Sequence, residues 1–298
     1  MGRCHMAENA PLVTVIIACY NHAAYIEQSI RSVLAQTYSA IELLVIDDGS
    51  TDLSVEVIRQ LQSKYSFDFK VQSNQGLSCT LNDAIARAKG SLIAPFGSDD
   101  VMLPGRISQQ VAYMLEHPET GICAGDIQLI DAQGNQGRSE SGKRSHFRRL
   151  DFADIFLDRV PLPPAATMLF RLDALQAAGG FDSGIRLEDL QIWLKVTHAG
   201  YSIDCLPEVL AQYRVHSSNT YKNHRFMIDN VLKSYALFSD HPLYDKARFH
   251  FLNSMFLKCA RTDKSLAIEL ICQIPLTVWT RKTIRGVLRL CLPGSVKL

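Results

Sequence analysis

The chain has 298 residues, 47% hydrophobic and 20% charged, with a formal net charge of +1. These values fit one large globular domain, or one with an extension, and exclude a disordered or fibrous chain. A charge this small gives no global pull toward nucleic acid, so none is expected as a partner, and any charged ligand must be recognised locally.

The opening MGRCHMAENAP has no apolar stretch of signal-peptide type, and residues 1–10 read as a disordered leader. LVTVIIACY (Leu12–Tyr20) is a β-branched run of strand length. Asn21 is placed to cap the helix that follows, where Ile26, Ile30, Val33 and Leu34 form a stripe. IELLVIDD (Ile41–Asp48) predicts the next strand, ended by the turn signal Gly49-Ser50. Ser50 or Thr51 can cap a helix carrying Val55, Ile58, Leu61 and Tyr65, with Asp52 a solvated first-turn acid. FDFKVQ is a short strand. Leu77, Leu81, Ile85 and Ala88 stripe a third helix that Gly90 ends. SLIAPF (Ser91–Phe96) is the next strand, and it stops at Gly97-Ser98 before two adjacent carboxylates, Asp99 and Asp100. Pro104 suits the first turn of a further helix, with Ile107, Val111, Met114 and Leu115 inward.

Strand–helix alternation of this kind predicts an α/β fold with a mainly parallel sheet and helices on both faces. Such sheets bind ligands beyond the carboxyl ends of their strands. Asp47-Asp48 and Asp99-Asp100 both fall at strand ends, on that rim. From Gly121 the pattern loosens: GICAGDIQLID reads as a strand, AQGNQG as a turn, and Arg138–Arg149 as a mobile basic loop. ATMLFR is a strand, Leu172–Ala178 a helix, GGFD a turn, and a helix runs from Glu188 to Ala199. Beyond Tyr221 the sequence reads as helical throughout. The expected division is therefore a leader at 1–10, a catalytic domain at 11–220 and a helical extension at 221–298. Eight scattered cysteines without a C-x-x-C pair point to a reducing, cytoplasmic setting. No run is long and apolar enough to span a bilayer.

Carboxylates crowded at a pocket repel, and a hard divalent cation, Mg²⁺ or Mn²⁺, is the common compensation. Read alone, Asp99 and Asp100 could equally end a strand and cap the next turn. Several segments together change the balance. VTVIIACYNHAAYIEQSIRSVLAQTY, ELLVIDDGSTD, NQGLSCTLNDAIARAKG, SDDVMLP, GGFDSGIRLEDLQIWLKVTHAGY and YRVHSSNT appear in that order between Leu12 and Asn219. In order, spacing and structural context the chain resembles the family-2 glycosyltransferases of the GT-A fold.

The resemblance implies an inverting transferase of a nucleotide-diphosphate sugar, a UDP-sugar before others. It implies a glycan acceptor, lipid-linked in many relatives, in bacterial O-antigen or capsule synthesis. Asp47 and Asp48 look like the acidic pair that contacts base and ribose, and Ala18, Tyr20 and Asn21 like the wall behind the base. Asn82 and Ser98 fall at nucleotide-sugar positions. Asp99 matches the metal-binding Asp, and His216 a position near the metal or diphosphate, with Arg214 close by. Asp189, or its neighbour Glu188, matches the catalytic base. There are two departures. Gly97 replaces the first Asp of the frequent D-S-D-D element, with Asp100 able to compensate as a metal ligand, and Leu81 stands where a basic residue often precedes the Asn. The Gly97 change motivates the alternative of a catalytically degenerate sugar-nucleotide-binding or scaffold protein. A nucleotidyltransferase would need a Gly-rich basic loop after the first strand, which CYNHAAY does not supply.

In the tail, Leu276–Cys291 can be drawn as one helix. Leu276, Trp279, Thr283, Val287 and Leu290 lie on one face, and Arg281, Arg285 and Arg289 on the other with Lys282 beside them. This reads as a helix packed on the catalytic domain or as an in-plane anchor on the cytoplasmic face of an anionic membrane. Its apolar residues could also serve a homodimer.

Overall fold

The computed structural model describes residues 10–137, 146–216 and 223–291. All but the last residue of the expected leader, most of the basic loop and the end of the tail lie outside these residues. By contacts the chain divides into two compact units, Met1–Phe152 with Pro161–Ser218, and Ala153–Val160 with Asn219–Leu298. The expected division had no break at 153–160, a segment that instead groups with the C-terminal helices.

Within the first unit, β1 (Val13–Cys19), α1 (Ile26–Leu34), β2 (Ile41–Asp48), α2 (Ser54–Gln62), β3 (Asp68–Gln72), α3 (Leu77–Arg87) and β4 (Leu92–Gly97) follow one another in the expected alternation. Then come β5 (Val101–Met102), α4 (Arg106–Glu116), β6 (Thr120–Ile130), β7 (Arg148–Leu150), β8 (Leu169–Arg171), α6 (Leu172–Ala177), α7 (Glu188–His198) and β9 (Ser202–Arg214); the short α5 (Phe152–Phe156), after β7, belongs to the second unit except for Phe152. Among the described residues the nine strands form one mixed sheet in the order β3-β2-β1-β4-β8-β6-β9-β5, with β7 paired to β9. All the long pairings are parallel: β1 with β2 and β4, β2 with β3, β6 with β9. The antiparallel ones, β4–β8, β6–β8, β5–β9 and β7–β9, are only two or three residues long.

β1 sits between two parallel neighbours with helices outside, so both its faces are covered. Val13, Val15, Ile16 and Ile17 are accordingly fully buried. Each such side chain contributes roughly 1.5–3 kcal/mol. Ile26, Ile30 and Val33 of α1, Ile58 and Leu61 of α2, and Ile107, Val111 and Met114 of α4 join the same core.

Some helix faces differ from the predicted stripes. Leu34, Leu77 and Leu115 are exposed, whereas Ser78 and Thr80 of α3 are buried. Helix starts differ too. Asn21 does not cap α1, which begins five residues later; it has φ 55° and accepts from the Thr51 backbone N–H instead. Asp52 is not merely solvated, since it accepts from the N–H of Ala23 and of Ser54 and ties two loops together.

The second unit holds α8 (His224–Ala236), α9 (Tyr244–Thr262), α10 (Lys264–Ile271) and α11 (Arg281–Cys291). Leu252, Phe256, Leu266 and Leu270 form its core. Phe156, from the segment at 153–160, packs edge-on against Tyr235 with centroids 4.9 Å apart. The tail is not a single helix from Leu276. A 3₁₀ turn covers Leu276–Val278, and α11 starts only at Arg281.

Candidate active site

Parallel register brings strand ends side by side: Ala18 lies opposite Gly97, and Cys19 opposite Asp47. β8 is antiparallel to both β4 and β6, so β6 runs with β4, and β9 runs with β6. The carboxyl ends of β3, β2, β1, β4, β6 and β9 therefore share one edge. Tyr20 to His22, Asp47-Asp48, Ser98 to Asp100, Asp131 and Arg214 to His216 all follow those ends and gather there.

His22, Asp99 and His216 are the tightest group, with one ligand atom from each within 4.8 Å of the others. His216 Nε2 is 2.8 Å from Asp99 Oδ2, and His22 Nδ1 is 2.7 Å from Ser98 Oγ. Burial holds the His22 ring below its ordinary pKa, against the opposing pull of Asp99. The His216 ring stacks on Tyr25 at 5.5 Å, and the Arg214 guanidinium lies 4.9 Å from the Tyr25 centroid. Nothing in the sequence pattern singles out His22 or Tyr25. The available signal is position, since CYNHAAY directly follows the end of the first strand.

Arg214, only 2% exposed, is spent inside. Its backbone N–H donates to Asp100 Oδ1, its Nε to the Asp99 carbonyl, its Nη2 to Gln28 Oε1 and its Nη1 to the carbonyls of Asp131 and Ala132. It fixes the loops around Asp99 instead of reaching out from them. Asp100 is turned inward and is not among the clustered ligands, unlike the expectation that it would hold metal beside Asp99. Burial, then the neighbouring Asp99, pushes its carboxyl up to about 8. That inward turn accounts for Gly97, where a Cβ would lie 2.7 Å from Asp100 Oδ2.

The pair at the end of β2 splits into two roles. Asp48 accepts from Gln72 Nε2 and the Gln75 N–H on Oδ1 and from the Gly76 N–H on Oδ2. It thereby sets the turn into α3, where Gly76 has φ +87°, a conformation that favours glycine. Asp47 is fully buried and accepts from the Ser50 N–H on Oδ1, but Oδ2 has no partner among the described residues. A buried carboxylate oxygen without a donor is costly, and a bound ligand is one way to satisfy it.

Glu188 and Asp189 open α7. That helix leads back to the amino end of β9, so its first turn lies on the carboxyl side of the sheet. Ser78 Oγ, in the first turn of α3, donates to the Ile185 carbonyl and pins the approach to α7 there. Asn82 spends both side-chain groups on the Phe181 backbone, and buried Gln191 bonds Asp182 and Ile185. Asn82 therefore braces the turn leading to Glu188 and Asp189. Burial raises the carboxyl pKa of Asp189, and burial followed by Asp189 raises that of Glu188. Trp193 is core, its Nε1 donating to Met168 Sδ. Tyr20, just after β1, is 49% exposed.

The donor set fits a divalent ion. Two ligands held about 2.1 Å from an octahedral centre sit about 3.0 Å apart when adjacent, close to the Asp99–His216 separation.

A family model described as glycosyl transferase family 2 matches residues 14–177. Over 220 residues the chain is 31% identical to the O-antigen biosynthesis glycosyltransferase WbnJ of Escherichia coli, covering 71% of this chain and 83% of that one. It is 26% identical over 227 residues to the amylovoran biosynthesis glycosyltransferase AmsE of Erwinia amylovora, covering 75% and 82%. Among solved structures, S. aureus TarS 1–349 in complex with UDP-GlcNAc superposes with a TM-score of 0.67 at 18% identity, covering 92% of this chain and 79% of that one. The mannosyltransferase PcManGT from Pyrobaculum calidifontis, in complex with GDP-Man and Mn²⁺, gives 0.59 at 18%, covering 95% and 86%. At such identity the two structures speak for a shared fold.

Proposed function

The chain belongs to glycosyl transferase family 2, and from that premise we propose an inverting transfer of one sugar from a UDP-sugar to a hydroxyl of a lipid-linked glycan in bacterial surface-polysaccharide assembly. The observation that supports this reading is the shared strand edge. Buried Asp47, whose Oδ2 has no partner among the described residues, half-exposed Tyr20 and the His22–Asp99–His216 cluster follow strand ends there, and the chain direction puts the opening of α7 on the same side of the sheet. The likeness to WbnJ and AmsE supports the polysaccharide setting, and the UDP-GlcNAc held by TarS supports the uridine donor.

Each residue has a task in that reaction. Tyr20 offers its ring face to the base, and Asp47 Oδ2 accepts a hydrogen bond from an N–H or O–H of the nucleotide. Asp99 and His216 hold a divalent ion, Mn²⁺ or Mg²⁺, which when bound supplies the positive charge that offsets the departing diphosphate. Asp189 takes the proton of the acceptor hydroxyl as that oxygen attacks the anomeric carbon, and the bond to diphosphate breaks. Burial raises the proton affinity of Asp189, which makes it the stronger base. One displacement with one base inverts the centre.

The second unit supports a peripheral site of action. On α11, Ile284 and Leu288 are exposed beside exposed Arg281, Lys282 and Arg285, a basic-apolar face suited to anionic lipid. Among the described residues no helix is long and apolar enough to cross a membrane.

The test is UDP release from UDP-sugars with Mn²⁺ and lipid-linked acceptors. Asp189→Asn should lower turnover by about 10²–10⁴-fold with donor affinity retained. A wild type that binds UDP with metal yet turns over no acceptor would instead favour a degenerate sugar-nucleotide-binding protein.

A further inference from the structure

A metal site with one protein carboxylate draws its remaining ligands from water and substrate phosphate, so its ion arrives with the nucleotide. The cluster here is differently composed. His22 lies in the loop after β1, Asp99 after β4 and His216 after β9, and all three donor atoms fall within 4.8 Å of one another. Ligands on opposite sides of one octahedral ion are about 4.2 Å apart and adjacent ones about 3.0 Å, so three ligands within 4.8 Å of one another need to close by no more than about 0.6 Å to share a single ion. The His22 loop is held from outside the cluster as well: its backbone N–H donates to Ser54 Oγ, and the next N–H donates to Asp52. Ser98 Oγ, 2.7 Å from His22 Nδ1, is the partner that orients the ring. A metal-bound histidine commonly fixes its second nitrogen in this way. His216 is braced by stacking on Tyr25.

We propose that His22 is a third protein ligand, binding through Nε2 while Nδ1–H donates to Ser98. The site is then two imidazoles and one carboxylate. Such a set takes first-row transition ions in preference to Mg²⁺, whose usual partners are oxygen ligands and water. With three protein ligands the ion is resident before the donor arrives, and its remaining positions are open to the diphosphate. This rests on the reading that Asp99 and His216 hold an ion, and the experiment separates the two claims.

Mn²⁺ is titrated into the nucleotide-free full chain and followed by loss of its free-ion EPR signal, with Mg²⁺ as competitor. Wild type should bind one Mn²⁺ that millimolar Mg²⁺ does not displace. His22→Ala and His22→Gln should weaken binding by about 10–100-fold, the range seen when a metal site loses a supporting group, and Asp99→Asn should abolish it. Pulsed EPR of the loaded chain should show nitrogen couplings from two rings in wild type and from one in His22→Gln. Circular dichroism checks that both variants fold, and His22→Gln decides if His22→Ala does not. Wild-type affinity in both His22 variants, with loss in Asp99→Asn, overturns the role of His22 and leaves the transferase reading standing. Mn²⁺ binding only when UDP is present, or equal displacement by Mg²⁺, also overturns it. No Mn²⁺ binding with or without UDP removes the metal reading itself.

Discussion

A Cβ at Gly97 would lie 2.7 Å from Asp100 Oδ2, 2.9 Å from Asp99 Oδ1 and 3.2 Å from Asp100 Cγ, where ordinary contact begins at 3.4 Å. Gly97→Ala therefore forces atoms apart by several tenths of an ångström. Overpacking of this kind costs about 1–3 kcal/mol. At about 2–4 °C per kcal/mol, melting should fall by several degrees. Both clashing groups end flexible side chains, so the easier relief is to swing them away. For Asp99 that movement pulls Oδ2 off His216, and Mn²⁺ affinity should drop along with stability. Gly97→Asp adds a third carboxylate to the same corner. Two such charges about 4 Å apart repel by about 4 kcal/mol at an effective dielectric near 20. Without metal, Gly97→Asp should therefore lose more stability than Gly97→Ala, and Mn²⁺ should restore part of it, since a divalent cation compensates crowded carboxylates. Thermal scans and Mn²⁺ titrations of both variants are the assay. If Gly97→Ala melts and binds as wild type does, or metal-free Gly97→Asp melts no lower than Gly97→Ala, the account of this position is refuted.

Three further outcomes follow from the same geometry. The Asp100 carboxyl is raised from 3.8 to about 8, so between those values the folded chain holds a proton that the unfolded chain releases. The stability it contributes is full below about 4 and is lost as pH rises through about 8, at up to about 1.4 kcal/mol per unit. Asp100→Asn keeps an acceptor for the Arg214 N–H and should flatten that slope in metal-free urea melts; an unchanged slope contradicts the assignment. Asp48→Asn sets an amide against the N–H of Gln75 or Gly76, a loss of about 1–3 kcal/mol. Amide exchange at residues 75–80 should accelerate, and unchanged protection would count against the turn-setting role. Tyr25→Leu removes the ring beside His216 and beneath Arg214, worth about 0.5–1.5 kcal/mol. Mn²⁺ affinity should fall several-fold, and wild-type affinity would mean that His216 needs no brace.

The strands that build the site are legible in the amino-acid sequence alone. Val13–Cys19, Ile41–Asp48 and Leu92–Gly97 are continuous apolar runs because they lie in the middle of a covered sheet, and burial on both faces leaves that mark on sequence. Carboxylates that close such runs must emerge at the carboxyl edge, so position alone identifies Asp47-Asp48 and Asp99. β9 leaves no such mark, although it is the longest strand at thirteen residues. It carries Asp204, Pro207 and Glu208, and Asp204 is tolerated fully buried only because Arg149, Thr120 and Tyr113 bond it.

The roles of the polar residues are decided by the tertiary structure. Asp100 points inward because the Arg214 N–H meets it across 114 residues of chain, Asn82 braces Phe181 across 99, and His22 faces Asp99 and His216 from a different loop. Hydrophobic pattern reports how much of a segment leaves water. Which way a polar group turns depends on partners that only the folded chain brings near, and sequence proximity carries no record of them.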